Sequence, residues 1–433
     1  MEWTTILTLA GSFFFFLAIG VPISFAIGVS SFLTILLALP MESAIAVISQ
    51  KMASGLDSFS LLAIPFFILA GNIMNRGGIA LRLIEFAKVL GGRLPGSLAH
   101  VNVLANMMFG SISGSAVAAA AAVGGTMAPL QKKEGYDPAF SAAVNITSSP
   151  TGLLIPPSNT FIVYSLISGG TSIGALFLAG YIPGILMGLG IMLIAYFIAK
   201  KNKYPVSPKP TFKEVTTKTL DALPSLGLVI VIIGGIIAGI FTATEASAIA
   251  VIYTLILSMC IYREISLKEL PSIILDAMVT TSIVLLLIGA SMGMSWAMAN
   301  ADIPYTISDA LLNISDNPIV ILLIINIILL IVGTFMDMTP ALLIFTPIFL
   351  PIVTELGMDP VHFGILMTFN LSIGICTPPV GSTLFVGCSV AGVKIDKVIK
   401  PLLPFYAVLI LTLFIVTFVP QLSLWLPQTL LGY

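Results

Sequence analysis

Apolar stretches long enough to cross a bilayer, which takes about 20 residues as a helix, recur from Thr5 to Trp425. They fall at 4–39, 58–75, 98–132, 138–169, 173–199, 222–241, 243–262, 272–299, 318–356, 359–391 and 401–427. The first is one long helix or two helices split at Gly20-Val21-Pro22. Segments 98–132 and 318–356 are interrupted centrally by glycine and polar residues, which predicts a re-entrant hairpin at each rather than a span. The pattern is that of an all-α, multi-pass membrane protein.

The distribution of lysine and arginine tests the hairpins. With hairpins at both places, Arg76, Arg82, Lys88, Arg93, Lys132, Lys133, Lys200, Lys201, Lys203, Lys209, Lys213, Lys218, Arg263, Lys268, Lys394, Lys397 and Lys400 share one face, 17 of the 18 basic residues. Lys51 falls opposite, with Glu42, Asp57, Asp302, Asp309, Asp316, Glu355 and Asp359. Ordinary spans at these positions would scatter the charges. By the positive-inside rule the basic face is cytoplasmic, and the loop 200–218 links two halves on that face.

Composition narrows the class. The chain is 58% hydrophobic and 9% charged, against about 25% charged for a soluble domain. A net charge of −1 and the lack of a basic stripe exclude nucleic acid. Cys260, Cys376 and Cys388 all lie in apolar segments, a scatter that suits neither a disulfide framework nor a metal site. The first apolar stretch lacks a basic n-region and a small-residue cleavage site, so it reads as mature structure rather than a signal peptide.

A shift of 222 positions aligns Pro129 with Pro351, Gly135 with Gly357, Asp137-Pro138 with Asp359-Pro360, Gly152 with Gly374, Pro156-Pro157 with Pro378-Pro379, and Gly170 with Gly392. Glycine and proline set turns and breaks. The repeated unit is therefore a hairpin, a Gly-x-Asp-Pro turn, a helix, a Pro-Pro break and a second half-helix. Lysines precede the first turn and are missing around the second, so the two copies face opposite sides. Inverted repeats with discontinuous helices characterise secondary transporters, whose site lies between the repeats near the midplane.

Four breaks then locate the chemistry. They are the tip 110–115 (Gly-Ser-Ile-Ser-Gly-Ser), its partner 155–160 (Ile-Pro-Pro-Ser-Asn-Thr), the tip 333–339 and its partner 377–383. Lipid offers no hydrogen bonds, so broken backbone at membrane depth persists only inside protein or around ions and water. Freed carbonyls and the Ser, Thr and Asn oxygens suit a monovalent cation such as Na⁺, because a divalent ion would want more carboxylates. Half-helix N-termini at the same breaks offer positive dipole ends to an anion. Asp337, the acidic residue of the tips, is a candidate for ion or substrate binding and equally for a helix N-cap. Ser111, Ser113 and Ser115 equally suit close helix packing.

Other polar residues read as structural. Glu245 looks buried and completes a Thr242-x-x-Glu245 capping box, and Ser266-Leu267-Lys268-Glu269 forms another. His100 and His362 lack metal spacing. Residues 76–93 form an amphipathic cytoplasmic arm.

The tip Gly-Ser-Ile-Ser-Gly-Ser, the Ile-Pro-Pro-Ser break, Phe241-Thr242-x-Thr244-Glu245-Ala246 and the Thr-Pro-Pro-Val-Gly break together resemble the large membrane subunit of tripartite ATP-independent periplasmic (TRAP) transporters. The resemblance covers essentially the whole chain. It implies an inverted-repeat, elevator-type fold like that of the ion transporter superfamily. It also implies a bacterial inner-membrane protein that imports sialic acid or C4-dicarboxylates with Na⁺. The implied partners are a small four-helix membrane subunit and a periplasmic binding protein, and the abrupt start at 4–39 suggests that the small subunit is a separate chain. Carried over by position, one Na⁺ site falls at Ser111, Ser113, Ser115, Pro157 and Asn159. A second falls at Gly333, Thr334, Asp337, Thr377 and Gly381, with substrate near Ser113, Ser115, Ser158 and Asp337. Neither tip holds an arginine to clamp a second carboxylate, which favours a monocarboxylate sugar acid.

The expected organisation is scaffold at 1–97, first repeat at 98–199, linker at 200–221, scaffold at 222–317 and second repeat at 318–433. Competing classes fit less well. An intramembrane protease lacks a His–Ser pair in reach or two facing carboxylates. A channel would want identical subunits around a pore, and no phosphate-binding Gly-x-x-x-x-Gly-Lys-Ser/Thr loop occurs. A passive channel or a structural subunit remains the alternative to coupled transport.

Overall fold

The computed structural model of the chain describes residues 2–92, 94–207, 210–315 and 317–433. Of the charges sorted above, Arg93, Lys209 and Asp316 lie outside the described residues. No strand occurs among the described residues. The first half runs α1 (Glu2–Ala18), α2 (Ile23–Leu36), α3 (Met41–Leu56), a 3₁₀ turn (Phe59–Leu62) into α4 (Ala63–Arg76), and α5 (Ile79–Gly91). It continues with α6 (Ser97–Ser113), α7 (Ala116–Lys133), α8 (Pro138–Ser148), α9 (Thr151–Leu154), α10 (Asn159–Ile167) and α11 (Ile173–Lys201). The second half runs α12 (Phe212–Ile237), α13 (Ala243–Leu255), α14 (Leu270–Asn300) and α15 (Ile303–Ile314). After these come α16 (Pro318–Phe335), α17 (Met338–Glu355), α18 (Pro360–Gly374), α19 (Ser382–Ala391), α20 (Ile395–Phe418) and α21 (Gln421–Leu431).

Both hairpins are re-entrant. At the base of the first, Gln131 Nε2 donates to the Leu98 carbonyl at 3.1 Å, and the Leu98 N–H donates to Tyr136 Oη at 3.3 Å. The two ends of α6–α7 therefore share a face. The tip turns at Gly114, whose φ of +61° is left-handed, and Ser115 caps α7 by accepting from the Ala118 N–H. In the second hairpin each arm alone is long and apolar enough to cross a membrane, so length would misassign both as spans. Packing decides otherwise. α16 runs parallel to α18, with Asn326 beside Asn370 and Gly333 beside Gly374. Only the turn 356–359 joins α17 to the start of α18, which returns the chain to the face it left.

Each hairpin is bolted to its own broken helix in the same two ways. Asn106 Nδ2 on α6 donates to Asn145 Oδ1 at 3.0 Å and to Ser148 Oγ at 2.7 Å on α8. Asn370 Nδ2 on α18 donates to Asn326 Oδ1 on α16 at 2.9 Å. Nearer the tips, Gly110 crosses Gly152 and Gly333 crosses Gly374, backbone on backbone. A Cβ on Gly152 or Gly374 would lie under 3.0 Å from the opposing glycine backbone. Small residues permit such approaches between membrane helices. Leucine at Asn106 is expected to cost about 1–2 kcal/mol by deleting an interhelical hydrogen bond, seen as a lower melting temperature in detergent. An unchanged melting temperature would refute the role.

The repeat extends beyond the hairpins. α1–α2 correspond to α12–α13, and both pairs turn on a left-handed glycine, Gly20 (φ +84°) and Gly239 (φ +68°). The arm α5 has a counterpart in α15, each entered through a left-handed residue, Gly78 (φ +71°) and Asp302 (φ +50°). The segment 4–39 is therefore two helices. Thr5 lines one cavity with Thr34, Ala38, Trp296 and Asp302, so the chain begins on the face opposite the lysines.

Two packing units result. α14 packs against α2, α3 and α4, α13 against α4, and α12 against α5, which builds a scaffold from both halves. In the other unit the halves interlock, with α19 against α7, α10 against α17, and α8 against α20. The arm α5 is pinned to the scaffold by Glu85, which lies 2.5 Å from Lys88 Nζ and 3.1 Å from Lys218 Nζ. Burial alone would raise the Glu85 carboxyl, but the hydrogen bonds from Lys88 and Lys218 outweigh it and hold it below the ordinary carboxylate range.

Three expectations are corrected. The linker expected at 200–221 is shorter: α11 runs to Lys201, and a capping box of Thr211 with Glu214 starts α12 at Phe212. The stretch 401–427 divides between α20 and α21 at Val419-Pro420. Glu245 completes its capping box with Thr242 yet is exposed rather than buried.

Candidate functional site

The two tips approach from opposite faces and meet at a cavity of about 440 Å³ between the scaffold and the hairpin unit. Its hairpin side is formed by Ser113, Gly114 and Ser115 of the first tip, Asn159 and Thr160 of the first break, Asp337, Met338 and Thr339 of the second tip, and Ser382 of the second break. These residues sit at the N-terminal ends of α7, α10, α17 and α19. Four helix starts thus open into one space, and the two halves touch there, Thr160 Oγ1 lying 3.3 Å from Met338 Sδ. The scaffold side is α4 (Ile64, Ile68, Gly71, Asn72, Asn75) with Thr280 and Val284 of α14. Among the described residues no lysine, arginine or histidine lines the cavity.

Local geometry explains each tip. Gly71 lets α4 approach the first tip, since a Cβ there would lie 3.0 Å from the Ser113 carbonyl oxygen. Gly114 rests on Asn159, where a Cβ would lie 3.1 Å from Nδ2. Behind this contact, Asn159 Oδ1 and Ser158 Oγ are buried with no hydrogen-bond partner among the described residues. At the second tip the Val380 N–H donates to the Thr334 carbonyl at 3.2 Å. Gly381 lies in a cradle of carbonyls, where a Cβ would sit 2.8 Å from Thr377 O and 2.9 Å from Ile375 O. Asp337 occupies the N-cap position of α17 without making the capping bond. Its Oδ1 instead accepts from Ser382 Oγ at 3.2 Å, across from the partner break, and the side chain is exposed to the cavity.

A family model described as "Tripartite ATP-independent periplasmic transporter, DctM component" matches residues 10–422. The chain belongs to the DctM family. Among curated proteins it is 64% identical to the uncharacterized protein YgiK of Salmonella typhimurium, across 98% of this chain and 97% of that one. It is 40% identical to the sialic acid TRAP transporter large permease protein SiaM of Vibrio cholerae, across 89% and 90%. It is also 40% identical to the C4-dicarboxylate TRAP transporter large permease protein DctM of Pseudomonas aeruginosa, across 94% of each chain. Equal identity to relatives named for different substrates means that overall similarity does not choose between them. A solved structure, the Alcanivorax borkumensis YdaH transporter, matches with a TM-score of 0.63 at 12% identity, over 87% of this chain and 88% of that one. That likeness speaks to the helical transporter fold alone. As a DctM-family member, the chain is a multi-pass membrane permease component of a solute transporter.

The structure brings Ser113, Ser115, Asn159 and Asp337 together on the cavity wall of this DctM-family chain. Ser111, Pro157, Gly333, Thr334, Thr377 and Gly381 are not among the residues that line it. Ser158 differs from expectation, being fully buried rather than facing the space offered to substrate. Ser111 Oγ donates to the Met108 carbonyl at 2.9 Å within its own helix. The sequence reading missed Asn72, Asn75 and Thr280 on the scaffold side. Two asparagines a helical turn apart in an apolar span were the available signal for the first pair.

Proposed function

We propose that this chain imports a small organic acid by Na⁺-coupled secondary active transport, with its hairpin unit moving as an elevator against the scaffold. The observation that carries this reading is the cavity into which four helix starts open, with no basic side chain among the described residues that line it and with the partnerless Asn159 Oδ1 buried behind its wall. Helix N-termini favour an anion. Asn159 Oδ1, left without a partner, suits a first Na⁺ beside Ser111, Ser113, Ser115 and Pro157, since a buried acceptor with no donor costs free energy until a ligand satisfies it. The carbonyl cradle at Gly381, with Gly333, Thr334, Thr377 and Asp337, suits a second. Each cation would offset anion charge in the same low-dielectric space, so binding of either favours the other.

An elevator is supported by the position of the cavity, which lies between the scaffold and the hairpin unit, with the small Gly71 where α4 meets the first tip. The scaffold lining reaches Asn75, at the basic end of α4, which fits a state open to the cytoplasm. In this reading the protein lies in the bacterial inner membrane beside a small four-helix subunit, and a periplasmic binding protein delivers the acid. Uptake by vesicles containing the full assembly is expected to require an inward Na⁺ gradient. Equal uptake with choline in place of Na⁺ would overturn the proposal.

A further inference from the structure

The cavity has two chemically different walls, and the scaffold wall is the one that no assigned role covers. On α4 the face Ile64, Ile68, Gly71, Asn72, Asn75 lines the space, apolar at one end and amide at the other. Four asparagines elsewhere in the helices act as interhelical glue: Asn106 and Asn145 bond to each other, as do Asn326 and Asn370. Asn72 and Asn75 do not. Among the described residues neither amide has a protein hydrogen-bond partner, and both face the cavity. Uncommitted polar groups facing an intramembrane cavity mark a binding surface.

We infer that Asn72 and Asn75 recognise hydroxyl groups of the substrate, which makes that substrate a polyhydroxylated monocarboxylate rather than a dicarboxylate. The inference rests on the proposal that the cavity takes an organic acid together with Na⁺. An amide offers both donors and an acceptor, matching a hydroxyl that also donates and accepts. A carboxylate uses only the NH₂ half and is repelled by the amide oxygen. With no cationic side chain among the described residues of either wall and Asp337 already present, a second carboxylate would enter with its charge uncompensated, whereas hydroxyls need only hydrogen bonds. The helix starts of the hairpin wall accommodate one carboxylate, so the acid lies with that group at the tips and its hydroxylated end along α4. A volume of about 440 Å³ leaves ample room beyond a four-carbon diacid.

The test is a thermal-shift titration of the full chain, purified with its membrane partner, in NaCl and in choline chloride. The probes are gluconate and sialic acid as polyhydroxylated monocarboxylates, succinate as a dicarboxylate, and butyrate as a monocarboxylate without hydroxyls. Gluconate or sialic acid is expected to raise the melting temperature in Na⁺, with succinate and butyrate inert. The double variant Asn72→Ala/Asn75→Ala is expected to weaken that response about tenfold or more while leaving the shift from Na⁺ alone unchanged, which shows that it is folded. Succinate matching the polyhydroxylated acids, no response to either of them, or a double variant that titrates like the parent would each overturn the inference. Na⁺ against choline without any acid reports separately on coupling. Absence of that shift sinks the transport proposal, whereas a Na⁺ shift with no preference among acids sinks only the present inference.

Discussion

Alanine at Gly152 is expected to remove most of the folded protein from the membrane. The added methyl would lie under 3.0 Å from the backbone of Gly110 and Ser111, and backbone atoms cannot move aside as a side-chain end can. Overpacking of this kind costs about 3 kcal/mol at the upper end of its usual range, a large share of the stability of an ordinary domain. Gly374→Ala should behave alike, because its Cβ would meet Gly333 in the second copy of the same crossing. Gly125→Ala is the control, with nothing within 4 Å of its added carbon. Size-exclusion profiles and melting temperatures in detergent read the outcome. A Gly152→Ala protein as abundant and as stable as Gly125→Ala would show that the crossing is not required.

Asp337→Asn is expected to leave the fold intact and to weaken Na⁺ binding strongly. The asparagine keeps the shape and can still accept from Ser382 Oγ, so what it removes is charge. A unit charge about 4 Å from the ion is worth about 4 kcal/mol at an effective dielectric near 20. Water in the open cavity screens about half of this, leaving roughly a thirtyfold loss of affinity. The concentration of Na⁺ that half-saturates uptake should rise accordingly, with Asp337→Glu recovering part of the loss. A Na⁺ dependence identical to the parent would remove Asp337 from the ion site and leave its bond to Ser382 as its role.

Those two residues were legible to different degrees. Asp337 stood out because an acidic group in a hairpin tip is costly in lipid. Its partner Ser382 did not, since the bond joins residues 45 apart in sequence, across two breaks. Gly152 and Gly374 were visible as a repeated pair, but glycine in a helix signals equally a turn, a kink or a close contact. The scaffold wall was the least legible part. Asn72 and Asn75 sit in an intact helix with no break to mark them, and only the folded chain shows that the tips press against that face.

Sequence alone determined the membrane class, the two hairpins, their opposite entry and the register of the repeat around the breaks. It could do so because lipid penalises charge and open backbone so heavily that lysines, glycines and prolines are confined to a few places. Tertiary structure decided the rest: that α1–α2 and α15 complete the repeat, that hairpin arms long enough to span turn back, and that four helix starts share one cavity. These depend on which apolar faces pack together. Apolar residues are nearly interchangeable in lipid, so their order along the chain carries little record of their partners.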